Sequence, residues 1–142
     1  MEVLIALSVI ILVITALVRV VTLSIRSTDY ARNTSVATTY STEAMEKIRS
    51  FRDSMSWTDF LDLESANPKR FGDGVTDYSA LTNCPDPVTP VGVSGTLLAG
   101  GFLRCSKLIS QGTGIQATIS VYWLEKNEVK KSENISYFYN WK

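Results

Sequence analysis

From Val3 to Val18 every residue is apolar except Ser8 and Thr15, and the first basic residue is Arg19. About 20 apolar residues span a bilayer, so residues 1–25 predict a helix that is greasy on all sides and fit for a membrane. After Leu23 polar residues return, yet the helical rhythm persists. Tyr30, Ala37, Tyr40, Ala44, Ile48, Phe51 and Met55 step mostly by threes and fours along one stripe. Arg32, Glu43, Glu46, Lys47, Arg49, Arg52 and Asp53 mostly lie off it. No Pro or Gly occurs through Trp57, so the pattern predicts one continuous helix over 2–54, about 80 Å long. Its first half needs lipid or other subunits on every side. Its amphipathic second half, residues 26–55, needs a globular partner on one face only.

Residues 56–101 read as loop, punctuated by Asn67-Pro68, Gly72-Asp73-Gly74, Pro85-Asp86-Pro87 and Gly100-Gly101. Residues 102–142 read as sheet. Ile115, Ala117, Ile119, Val121 and Trp123 alternate with Gln116, Thr118, Ser120, Tyr122 and Leu124, a half-buried strand. Lys126-Asn127-Glu128 makes a turn, and Val129 to Trp141 returns with Ile135, Tyr137, Tyr139 and Trp141 in one register. Leu103, Cys105 and Ile109 suggest a further strand before this hairpin. An antiparallel sheet of three to four strands with one apolar face requires a cover, and the helix stripe supplies it. The expected fold class is α+β.

The chain has 142 residues, enough for one domain and an anchor but not for two separately cored domains. Lys+Arg and Asp+Glu are 14 each, so the formal net charge is zero. That balance gives no electrostatic footprint for nucleic acid and fits a subunit that associates with its own kind. Histidine is absent, which removes the usual general base and the commonest metal ligand. Cys84 and Cys105 stand roughly 20 residues apart, a spacing that matches no zinc or thioredoxin motif. A structural disulfide closing such a loop stabilises by about 3 kcal/mol in the chain-entropy view. The other reading, two core thiols, needs a reducing compartment, and the anchor argues against one.

Glu2 is the anomaly of the apolar run, because a carboxylate at hydrocarbon depth costs about 2.5 kcal/mol or more. A cleaved secretory signal needs a basic start and a small-residue cleavage site, and the run offers neither. A plain single-span anchor explains the hydrophobicity and leaves Glu2 unexplained. A third reading comes from Glu2-Val3-Leu4-Ile5-Ala6-Leu7 and the apolar residues behind it. This stretch resembles the N-terminal segment of type IV pilins and type II secretion pseudopilins. The resemblance implies a leader removed by a prepilin peptidase, which then methylates the new N-terminus. It also implies a glutamate that meets the N-terminal amine of a neighbouring subunit, a pairing that accounts for a tolerated acid. Carried over, Glu2 is the assembly residue, and Val3, Leu4, Ile5, Leu7, Ile10, Leu12, Ile14 and Leu17 belong to a filament-core helix. The family has several mature residues before this glutamate, so the sequence is expected to lack the leader and the first few mature residues. Many major pilins break the apolar helix with Pro, which is absent here; mostly β-branched Val18-Arg19-Val20-Val21-Thr22 has weak helix propensity. Tyr40 to Asp53 is similar to the end of this helix in minor-pilin-type proteins, and the Tyr- and Trp-rich hairpin looks like pilin-type heads.

No catalytic elbow, phosphate loop or dinucleotide fingerprint occurs, so neither enzymatic activity nor a cofactor is expected. Gly112-Thr113-Gly114 reads as a turn. Asp59, Asp62, Glu64, Asp73 and Asp77 lack the ladder of an EF-hand and read as a solvated acidic connection. The sequons Asn33-Thr34-Ser35 and Asn134-Ile135-Ser136 are short enough to arise by chance. The C-terminal Tyr and Trp residues are expected in the core rather than stacked on a receptor or DNA. The resemblance implies a structural subunit of an extracellular type IV pilus-like filament, serving surface attachment or motility and membrane-anchored before assembly. The implied partners are copies of itself in a helical filament, the inner or plasma membrane, the prepilin peptidase and the pilus assembly machinery. A surface receptor or host cell is a further candidate, and nucleic acid is disfavoured. Two alternatives stand beside this. One is a minor pilin or pseudopilin of a type II secretion or DNA-uptake system; the other is a membrane-tethered binding domain that never polymerises.

Overall fold

The computed structural model describes residues 2–84, 98, 100–125 and 128–140. The fold is α+β. Helix α1 runs over Glu2–Ser54 and α2 over Trp57–Leu61; the strands are β1 Lys69–Arg70, β2 Leu103–Gln111, β3 Gly114–Glu125 and β4 Glu128–Tyr139. The chain divides into two units, Met1–Ser35 and Val36–Lys142. The expected helix over 2–54 is present with those bounds, because nothing in it breaks the hydrogen-bond ladder. It stops at Ser54, and Ser56 caps α2 by accepting from the Asp59 N–H at 3.2 Å.

Within the second unit, α1 buries Ala37, Ser41, Ala44, Met45 and Ile48. Two alanines and a serine on this stripe let the helix lie close to the sheet, and the Ser41 hydroxyl is satisfied by donating to the Thr38 carbonyl at 2.8 Å. Tyr40, Phe51 and Met55 close the rim as half-buried residues. Tyr30, expected on the same stripe, is exposed and lies in the first unit. The core is completed by Phe60, Phe71, Tyr78 and Phe102 and by the inward residues of β3, Ile115, Ala117, Ile119, Val121 and Trp123. The alternation read in the sequence is the one found here.

All strand pairs are antiparallel, in the order β1-β2-β3-β4. Gln111 pairs with Gly114, so Gly112-Thr113 forms the expected tight turn; Gly112 has φ +62°, which glycine adopts without strain. The expected Lys126-Asn127 turn, the Pro85-Asp86-Pro87 motif and Trp141 lie outside the described residues. The stretch expected to be plain loop, 56–101, carries α2 and β1. Strand β1 exists through its partner, Lys69 opposite Ser106 and Arg70 opposite Cys105.

The expected faces of two strands need correction. In β2 the helix side is Arg104, Ser106 and Leu108, opposite Val121, Ile119 and Ala117 of β3. Leu103, Cys105 and Ile109 therefore lie on the other face, where Leu103 and Cys105 are nonetheless buried. In β4, Ile135 and Tyr137 pair with Thr118 and Gln116, again on the outer face. Tyr137 and Tyr139 are 53% and 56% exposed, so they are not the core aromatics expected. A period of two says which residues share a face, but not which face a distant helix will cover. On the helix side β4 presents Ser132, Asn134 and Ser136 and buries only Phe138, whose ring meets Phe60 edge-on at 6.0 Å.

Candidate functional site

The first unit is helix alone, and its chemistry is simple. Val3, Leu4, Ile5, Leu7, Ile10, Leu12, Ile14 and Leu17 are between 55% and 75% exposed and together cover the whole circumference. This is the one described helix long and apolar enough to cross a membrane. A surface of this kind exceeds what a soluble monomer exposes. Its hydroxyls are internally satisfied. Ser8 donates to the Leu4 carbonyl at 2.6 Å, Thr15 to Ile11 at 2.7 Å and Thr22 to Val18 at 2.8 Å. The three sit seven residues apart, on one face of the helix. Glu2 opens the helix at an exposed position, and Arg19 is exposed as well.

The second unit is organised around a residue the sequence pattern did not single out. Arg104 is buried in β2 with no side-chain exposure. Its Nε donates to the Phe71 carbonyl at 2.9 Å, and Nη2 donates to the Gly72 carbonyl at 2.9 Å and to Asp73 Oδ1 at 3.2 Å. Nη1 donates to the Tyr40 carbonyl at 3.1 Å and to Glu43 Oε2 at 3.4 Å. The guanidinium lies 5.3 Å from the Phe71 ring centre and 6.0 Å from that of Tyr40. One side chain thus ties α1, the 71–73 loop and β2 together. A signal existed in the sequence: Arg104 stands four positions before Leu108, in the same alternating register.

Cys84 and Cys105 form a disulfide with Cα atoms 5.9 Å apart, which fastens the segment after β1 to β2. The acidic residues of the connection have separate structural duties. Asp59 belongs to the α2 cap, Asp62 ends α2, Glu64 accepts from the Ser110 N–H at 3.0 Å and Asp73 meets Arg104. Asp77 accepts from the backbone and hydroxyl of Ser79, and these bonds hold its carboxyl below the usual range. Among the described residues no group of three metal-ligating side chains occurs.

On the outer face, an open groove of about 410 Å³ is lined by Pro68, Cys84, Cys105, Lys107, Tyr122 and Lys131. Lys131 pairs there with Glu133. The hydrogen bond from Lys131 holds the Glu133 carboxyl below its ordinary value, with burial opposing and the Ser120 hydroxyl assisting. The same bond raises Lys131. Tyr78 is pushed up by burial, partly offset by the Ser106 hydroxyl 3.2 Å away. Each of these shifts comes from packing or pairing that holds the head together. No protein-family profile, curated protein or solved structure matches this chain.

Proposed function

We propose that the chain is a structural subunit of a type IV pilus-like filament, polymerising through residues 2–25 of α1 and carrying the α+β head outward from the cell. The observation that carries this reading is the apolar surface of α1, exposed around its whole circumference. A one-sided stripe needs one partner, whereas an all-round surface needs lipid or a bundle of like helices. The membrane meets that need before assembly, and copies of the same segment meet it in the filament. The head contributes surface and no catalysis. A leader peptidase and an assembly machine are the partners such a route requires.

Glu2→Ala tests the reading. The variant should remain in carbonate-washed membranes while sheared filaments, counted by electron microscopy and immunoblot, fall about tenfold or more, as loss of a partnered buried charge implies. Wild-type yield from the variant would remove the role of Glu2. Only monomers in the wild-type shear fraction would mark a membrane-tethered domain instead.

A further inference from the structure

Residues 2–25 of α1 contain two charged side chains, Glu2 and Arg19. They are separated by about 25 Å of helix rise, far beyond side-chain reach within one chain. Among the described residues neither has an ion-pair partner. In a bilayer this spacing is harmless. A hydrocarbon core about 30 Å thick leaves both charges near its edges, where each can reach water. Between packed helices that water is gone, and a buried charge persists only when partnered.

We propose that Glu2 of one copy pairs with Arg19 of another in the polymer, with the two segments parallel and displaced by about 25 Å along their axes. This rests on the filament reading and names the partner of its assembly residue. Charge complementarity selects a second copy as the occupant, since each segment offers the match to the other. The angular relation selects the geometry. At 3.6 residues per turn the two side chains leave the helix about 100° apart, on different faces. An antiparallel two-fold dimer needs both on one self-complementary seam. Different faces make a heterologous contact, which repeats without closing and builds a helical filament. Ser8, Thr15 and Thr22 share the Arg19 face, and such small residues let a neighbouring helix approach closely.

The test compares filament yield from Glu2→Gln, Arg19→Gln and the double variant, with membrane retention measured for each. Either single change should cut yield about tenfold or more, and the double should return to within about threefold of wild type, because no unpaired charge remains. A double variant as poor as the product of the singles would overturn the pairing, as would full yield from either single. Arg26→Gln is the control; if it lowers yield and is rescued by Glu2→Gln, Arg19 is the wrong partner. Mixed Ile5→Cys and Thr22→Cys chains should crosslink in filaments, since they repeat the same stagger. Crosslinking of Ile5→Cys to Ala16→Cys in its place would show the antiparallel arrangement and overturn the proposal. Absence of wild-type filaments would overturn the filament reading and the pairing with it. Wild-type filaments without rescue would overturn the pairing alone.

Discussion

An arginine withdrawn from water has five N–H donors to satisfy inside the protein, and Arg104 spends them on three carbonyls and two carboxylates. Lysine, with a point charge and no planar fork, cannot reproduce that set. Arg104→Lys should therefore destabilise the head by about 1–3 kcal/mol, and Arg104→Met by about 2–4 kcal/mol, through hydrogen bonds to a charged donor that are lost. Urea unfolding in detergent, followed by Trp fluorescence, measures both; a midpoint unchanged in Arg104→Met would refute the anchoring role. The residue escaped sequence reading for a physical reason. Leu103 and Cys105 advertise one face of β2 and Arg104 the other, and apolar character alone favours the wrong choice. Cys105 is buried by its bond to Cys84, not by the helix.

Long elements with a sustained period were the legible ones. Helix α1 has no breaker over its length, and β3 is buried at every second position from Ile115 to Trp123, so local pattern and tertiary packing agree. Strand β1 has two residues and α2 has five, too short for any period to register. They depend on a distant partner strand and on a serine cap. Strand β4 shows the converse, with its apolar residues outside and its small polar residues inside. The hairpin of β3 and β4 contains one steric requirement. A Cβ at Gly114 would stand 2.6 Å from the Phe138 carbonyl oxygen and 2.8 Å from the Tyr139 ring. Gly114→Ala should cost about 1–3 kcal/mol by overpacking, lowering the thermal midpoint by roughly 3–8 °C. Melting followed by circular dichroism reads this directly. A Tyr139→Ala background should recover part of the loss; the remainder belongs to the backbone contact, which no side-chain change relieves.

At the scale of the whole molecule, the two units rest on different physics. The head is held by a packed core, a buried arginine and a disulfide spanning 21 residues, and the first unit by its helical ladder and by whatever surrounds it. Cys84→Ser with Cys105→Ser should cost the head about 3 kcal/mol and leave membrane retention of the apolar segment unchanged. Limited proteolysis of carbonate-washed membranes separates the two effects. A head as resistant as wild type would show that the bridge contributes nothing. The sequence showed that residues 2–25 need a surround, but an all-round apolar surface names no particular one. The hydroxyls of Ser8, Thr15 and Thr22 bear on this in a further way. Each is closed onto its own helix, so exchanging lipid for protein breaks no hydrogen bond in the segment. A subunit built like this can leave a bilayer and return to it unaltered, which makes the membrane a reservoir for reuse and retraction as feasible as growth.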